Sequence, residues 1–285
     1  MKRLVPKVKI VTEKESTYVG CCIYCGATQV KLTEEHISPY GLNGLMTLLD
    51  ASCLECAKVT SKIERHVLWN MWKPARKELG YRTRHEEVSS YPLRVIQNGN
   101  EISMEVSHED ALKIIELPIF NAPAVLDGRA CTENIQYHSK DTFILKEQKE
   151  ELTKRLGIDE VLPPAFDPDI FARFVAKCSY GYSIYQYGIQ AFESIYVQSA
   201  ILGKTRDIGQ WVGSPETREF RICNTPMSAG FKILPDNDLL VRIKVFPRFN
   251  GAEYITVVGK MKQFHAEQYR LVRGGREAPH TFQNP

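Results

Sequence analysis

The sequence predicts an α+β protein in which a small N-terminal module precedes a larger region of mixed helices and strands. Two Cys-x-x-Cys pairs lie close together near the N-terminus, and a long helical pattern of apolar residues begins after Asp167-Pro168. Near the C-terminus, apolar and polar residues alternate as they do in strands. The chain has 285 residues, 43% hydrophobic and 25% charged, which is an ordinary globular composition and enough chain to bury a core.

The two cysteine pairs are Cys22-Ile-Tyr-Cys25 and Cys53-Leu-Glu-Cys56. Four thiolates at this spacing suit a tetrahedral structural Zn²⁺ site. A metal there would also supply stability to a module too short to bury much apolar surface. The remaining cysteines are scattered, and we find no signal-peptide pattern, so we expect a cytoplasmic protein that binds metal rather than forming disulfides. These four are Cys21, Cys131, Cys178 and Cys223. No apolar run reaches the length of a membrane span.

Between the pairs, residues 30–37 read as a short strand that ends in the dipeptide Glu35-His36, and a loop rich in Pro, Gly and Asn follows. A helix is predicted from about Cys53 to about Trp72, because apolar residues recur there every four positions. They are Val59, Ile63, Val67 and Met71. Pro74 should interrupt this helix and Gly80 should end its continuation.

Beyond this module the sequence predicts a hairpin around Asn98-Gly99-Asn100 and strands near residues 239–245 and 253–259. Helices are predicted over residues 108–116, 146–156 and 189–202, and the longest one starts at Asp167-Pro168. We expect Arg173 and Lys177 on a solvated face of that helix, and we expect its tyrosines to form an amphipathic surface. These tyrosines are Tyr180, Tyr182, Tyr185 and Tyr187. The domain boundary is placed near residue 85, dividing the chain into 1–85 and 86–285.

The order of motifs in residues 20–68 resembles the HNH endonuclease family, of the ββα-metal type. That order is Cys-x-x-Cys, Glu-His-Ile-x-Pro, a Gly-rich loop, Ser-Cys-x-x-Cys and a helix. The zinc-stapled subgroup is the most similar, because the two cysteine pairs match its structural zinc ligands and Glu35-His36 matches its acidic-His dipeptide. Ser61-x-x-Glu64 and residues 171–177 also resemble one bacterial branch of the family.

This resemblance implies metal-dependent hydrolysis of phosphodiester bonds in DNA. His36 would be the general base, since a neutral imidazole can take a proton from water near pH 7. Glu35 would bind the catalytic cation, and oxygen ligands suit Mg²⁺ or Mn²⁺. Asp50 stands about where the family places the group that orients the base, and Asn43 is the alternative.

One position departs from the family pattern. The residue after the last cysteine is usually Asn or His and supplies a second metal ligand, whereas this chain has Ala57. On a helix, positions 57, 61 and 64 share nearly one face, so Ser61 or Glu64 could take over, and Glu64 is the stronger ligand. We therefore predict that Glu35 and Glu64 share one catalytic cation.

A basic stretch follows the cysteine pairs. Residues 58–84 hold eight Lys and Arg against two Glu, although the whole chain carries only +3. Such a cluster beside a candidate active site is typical of a surface that contacts the phosphate backbone. The candidate contacts are Lys58, Lys62, Arg65, Lys73, Arg76 and Lys77.

Two alternatives to a nuclease stay open. One is a non-catalytic, zinc-stabilised nucleic-acid-binding or regulatory protein derived from a nuclease that lost its ligand at Ala57. The other is a zinc-stapled module for protein interaction. The sequence does not decide between DNA and RNA, and it leaves the oligomeric state open, with a homodimer as one option.

Overall fold

The computed structural model describes residues 9–10, 15–82, 90–131, 133–145, 149–217, 227–273 and 282–283. Helices and strands are mixed along the chain, and the predicted α+β class is confirmed. The strands are β1 (Lys9–Ile10), β2 (Glu15–Tyr18), β3 (Leu32–His36), β4 (Met46–Cys53), β5 (Tyr91–Gln97), β6 (Asn100–Val106), β7 (Ile114–Phe120), β8 (Tyr137–Ile144), β9 (Glu160–Val161), β10 (Phe192–Ile195), β11 (Val212–Gly213), β12 (Met227–Ile233), β13 (Asp238–Val245), β14 (Glu253–Met261) and β15 (Phe282–Gln283). The helices are α1 (Leu54–Arg65), α2 (Lys73–Glu78), α3 (Lys149–Leu156), α4 (Pro168–Tyr187), α5 (Gln198–Ile201), α6 (Ile208–Trp211) and α7 (Gln263–Arg273).

The N-terminal module consists of a small sheet and the helix that follows it. The strand order is β2-β4-β3, with β2 parallel and β3 antiparallel to β4. The chain then continues directly from β4 into α1 and through a π-helical turn, His66–Met71. The predicted strand and helix are confirmed. The predicted interruption is confirmed too, because the π-helical turn ends at Met71 and Pro74 lies in the first turn of a separate helix, α2, which begins at Lys73.

The largest sheet lies in the C-terminal half. Its strand order is β10-β14-β13-β12, and β11 also pairs with β14. The predicted strands near 239–245 and 253–259 are confirmed as β13 and β14, which are antiparallel neighbours. The long helix α4 packs on this sheet, where the hydroxyls of Ser179 and Thr256 lie 2.9 Å apart.

Helix α4 begins where the sequence predicts, because the Asp167 carboxylate accepts a hydrogen bond from the Ile170 backbone N–H at 3.0 Å. Thirteen of its twenty residues are buried, and its other side packs on the N-terminal module. The Tyr180 hydroxyl donates to the Ile23 carbonyl at 2.6 Å. Gly181 allows a close approach, since a Cβ there would lie 3.3 Å from the Cα of Ile37.

One hydrophobic core joins the two sides of the molecule. Trp72 is fully buried and makes edge contacts with Phe171, Phe174 and Phe246, so aromatic residues from distant parts of the chain meet at one place. The core therefore continues across the predicted boundary near residue 85. A second, smaller core lies between the three-stranded sheet β6-β5-β9 and helix α3. The predicted hairpin of β5 and β6 is confirmed.

Two predicted helices are wrong. Residues 108–116 form turns and then enter β7, which pairs with β8, and residues 189–202 divide into a 3₁₀ turn, β10 and the short helix α5. In both places the chain pairs with a distant strand, and such pairing overrides local preference. The expected tyrosine surface is also incorrect in part, because Tyr180 and Tyr182 are buried. None of the described helices combines the length and apolar character that a membrane span needs.

Candidate functional site

The four cysteines of the two pairs come together at one end of the module. Their sulfur atoms all lie within 4.8 Å of one another, and Cys25 Sγ and Cys53 Sγ are 3.7 Å apart. For comparison, tetrahedral zinc with Zn–S bonds of about 2.3 Å requires sulfurs roughly 3.8 Å apart. These four residues, called the cysteine group below, could therefore hold a metal ion such as zinc. No disulfide joins any cysteine in the part of the chain that the structure describes.

Local backbone structure places the cysteine group. Cys22 and Cys25 lie in a tight turn in which the Gly26 N–H donates to the Cys22 carbonyl at 2.8 Å, and Gly26 adopts φ +76°, where a side chain would be strained. Cys53 ends β4 and stands at the N-terminus of α1, which carries Cys56. The Cys56 backbone N–H bonds the Cys53 sulfur and lowers the pKa of that thiol to about 7. Burial instead raises the pKa of the Cys22 and Cys56 thiols, so among these three the thiolate is favoured most at Cys53.

The strand end that carries Glu35-His36 lies against α1 and α4. The ammonium of Lys177, on α4, contacts Glu35 Oε1 at 2.9 Å and Glu64 Oε1 at 2.6 Å. It also donates to the His36 carbonyl at 2.5 Å. Glu35 and Glu64 thus both contact one positively charged atom. The sequence predicted a divalent cation at that position, but the atom is the side-chain nitrogen of Lys177.

This ion-pair cluster of Glu35, Glu64 and Lys177 is largely closed to solvent. The side-chain exposed fractions are 1% for Lys177, 6% for Glu35 and 22% for Glu64. Burial disfavours the charged form of Lys177, but the two carboxylates outweigh it and raise the pKa, so this lysine is charged. Burial raises the pKa of Glu35, which also accepts a hydrogen bond from the Tyr24 hydroxyl at 3.0 Å.

The ion-pair cluster does not fit the catalytic Mg²⁺ or Mn²⁺ predicted from the family pattern. A divalent cation needs oxygen ligands in an open coordination shell and usually keeps several waters. Here the position between the two carboxylates is taken by a positive charge, and almost no solvent reaches it. The other candidate ligand, Ser61, is exposed on α1.

His36 is half-buried at the end of β3, with its ring edge-on to Tyr40 at 6.3 Å between centroids. In the strand register it faces Thr47, whose hydroxyl lies 2.8 Å from that of Ser16. Asp50 is three residues further along β4, within the irregularity in register between the Thr33–Ser52 and Glu35–Leu48 pairs. It is exposed, and Thr47 rather than Asp50 is the residue paired with His36.

The alternative orienting residue, Asn43, is used elsewhere: its side-chain oxygen accepts the Arg82 backbone N–H at 3.0 Å. Thr47 is the residue that the sheet does place opposite His36, and it is fully buried. Its position depends on the β3–β4 register, which local sequence does not reveal.

The six candidate nucleic-acid contacts divide into two sets. Lys58, Lys62 and Arg65 on α1 are exposed, as is Lys77 on α2, although Lys58 pairs with Glu55 at 2.7 Å. The other two, Lys73 and Arg76, are held by contacts within the protein. Lys73 is buried and lies 3.8 Å from the centre of the Trp69 ring, while Arg76 donates to the carbonyls of Gly41, Leu68 and Arg82.

Lys177 is the site residue whose role the sequence reasoning missed, since a solvated position was expected and the side chain is buried. A signal was present in the sequence. On a helix, residue 177 shares a face with the buried Phe174 and Gly181, three positions before it and four after it. A lysine on an apolar stripe requires a buried anionic partner, and Glu35 and Glu64 are the partners.

The fold and the site together define an α+β protein with a cysteine group that could hold a metal such as zinc, next to a buried ion-pair cluster. Comparison with protein-family models, with curated proteins and with solved structures gives no match.

Proposed function

We propose that this chain is an HNH-type protein that binds DNA through a zinc-stapled N-terminal module and does not cleave it by a divalent-cation mechanism. The observation that carries this proposal is the ammonium of Lys177 between Glu35 and Glu64, the two carboxylates assigned to the catalytic cation. The cysteine group would hold a structural Zn²⁺, and fully ligated zinc performs no chemistry of its own.

The outer face of α1 supplies the contact surface in this proposal. Lys62 and Arg65 are exposed one helical turn apart, and both follow closely on Cys56. Because zinc would fix the start of α1, it would also fix these two cations relative to β3. Exposed cations held by a rigid helix suit the regularly spaced phosphates of a duplex.

The double variant Lys62→Gln/Arg65→Gln is expected to bind DNA more weakly and with a shallower salt dependence. Each lost phosphate contact should reduce the slope of log K against log salt concentration by about 1, so the pair should reduce it by about 2. Fluorescence anisotropy with a labelled duplex at several salt concentrations measures both quantities.

The matched control is Lys149→Gln/Lys154→Gln, which removes the same charge from exposed positions on α3. This control should keep the wild-type slope of log K against log salt concentration, because it changes the overall electrostatic field of the protein but removes no phosphate contact. Equal slopes for the two double variants would contradict a contact surface on α1.

A second candidate function is DNA cleavage with His36 as the general base, as the HNH resemblance implies. It is favoured by the half-buried ring of His36, which a water molecule could reach, and by the fixed backbone at this residue. In this alternative Lys177 would position the base through the His36 carbonyl.

A plasmid-nicking assay separates the two candidates. Folded, zinc-loaded wild type is expected to bind the plasmid without cutting it, whether no metal, Mg²⁺ or Mn²⁺ is added, because the cation position is filled. Nicking by wild type that is lost in His36→Ala would establish the second candidate instead. His138→Ala is the control, since His138 lies on β8, far along the chain from the module.

A further inference from the structure

The ammonium of Lys177 has a complete set of hydrogen-bond acceptors. A lysine ammonium has three N–H donors, and three oxygens surround this one: Glu35 Oε1 at 2.9 Å, Glu64 Oε1 at 2.6 Å and the His36 carbonyl at 2.5 Å. These oxygens come from β3 and α1, so a single nitrogen on α4 links three elements of the fold.

We infer that the ammonium of Lys177 is a fixed part of the fold and occupies the position between Glu35 and Glu64 that a divalent metal would need. In this arrangement the two glutamates are counterions and not metal ligands. The inference rests on the geometry of these side chains and does not depend on DNA binding.

The lysine cannot readily move aside for a metal, because α4 is held on both sides next to it. Ser179 bonds Thr256 on the large sheet, and Tyr180 bonds the Ile23 carbonyl in the module. The side chain itself is 1% exposed, so a displaced ammonium would have to find a new partner inside the protein.

The ammonium of Lys177 also explains why position 57 can be an alanine, which has no metal-binding side chain. A metal in this position would need further ligands to complete its shell, whereas an ammonium needs only acceptors for its three hydrogens. Glu35, Glu64 and the His36 carbonyl provide these, so nothing is required from position 57.

Manganese binding to the zinc-loaded full chain tests the inference, with the electron paramagnetic resonance signal of free Mn²⁺ as readout. Wild type is expected to leave this signal unchanged. Lys177→Ala, which removes the ammonium and leaves the space of its side chain to a metal and its waters, should bind one Mn²⁺ per chain. The triple variant Lys177→Ala/Glu35→Gln/Glu64→Gln should bind none, because the carboxylates are gone.

If Lys177→Ala is unfolded without metal, its recovery of near-ultraviolet circular dichroism on addition of Mn²⁺ replaces the binding readout, and the triple variant again serves as control. Two results would overturn the inference. One is Mn²⁺ binding by wild type that disappears in Glu64→Gln, whose side chain is 22% exposed. The other is a Lys177→Ala protein that neither binds Mn²⁺ nor responds to it. No DNA enters these measurements, so their failure would remove the claim that no divalent cation acts here and would leave the proposed DNA binding to its own test.

Discussion

Replacing Cys56 by serine is expected to release the proposed zinc and to lower the free energy of unfolding by at least about 5 kcal/mol. Structural zinc contributes an apparent binding free energy of about 10–16 kcal/mol in small zinc domains. We expect less here, because contacts such as the Tyr180 hydroxyl on the Ile23 carbonyl hold the module without metal. Urea unfolding and zinc content measured by atomic absorption provide the test.

The melting temperature of Cys56→Ser should also fall, by roughly 10–20 °C, since about 1 kcal/mol corresponds to 2–4 °C in proteins of similar or somewhat smaller size. Cys21→Ser is the matched control: Cys21 is next to Cys22 but lies outside the cysteine group, so zinc content and melting temperature should stay close to wild type. Full zinc content in Cys56→Ser would refute the assignment.

Removing the charge of Lys177 is expected to have the second large effect. Lys177→Met leaves the buried carboxylate of Glu35 and the partly buried one of Glu64 without a counterion, and breaking a buried ion pair from one side costs about 3–5 kcal/mol. The triple variant that also neutralises Glu35 and Glu64 should recover most of this loss, since no uncompensated charge remains. Urea unfolding followed by both fluorescence and circular dichroism measures each free energy and checks that the two probes agree.

Lys58→Met provides the matched control for this second prediction. Lys58 pairs with Glu55 at 2.7 Å, but the two side chains are 67% and 81% exposed, so solvent weakens the interaction. A loss of about 1 kcal/mol or less is expected there. If Lys177→Met cost no more than Lys58→Met, the ion-pair cluster would have no special structural role.

Local patterns in the sequence were sufficient for much of the module. The spacing of Cys22, Cys25, Cys53 and Cys56 predicted the cysteine group, because short loops limit how far apart such pairs can lie. The four-residue recurrence of apolar side chains predicted α1 and its continuation. The capping residue Asp167, followed by Pro168, predicted the start of α4. Each of these depends on neighbours within a few residues.

Predictions that depended on distant partners were less successful. Residues 108–116 were expected to be helical, but Ile114 and Ile115 pair with β8, about thirty residues away. The pairing of His36 with Thr47 rather than with the region of Asp50 follows from strand register, which a single-residue shift would change. Local propensity contains no information about either partner.

The sequence by itself determined that four cysteines would come together in a group that could hold a metal and that Glu35-His36 would end a strand beside it. It also predicted that Glu35 and Glu64 would share a catalytic divalent cation, whereas in the structure the Lys177 ammonium lies between them. Only the tertiary structure placed that lysine there. Lys177 is 113 residues beyond Glu64, and it reaches the two glutamates because α4 packs between the large sheet and the module. Whether a lysine faces solvent or a buried carboxylate depends on what packs against its helix, and that is a property of the folded chain.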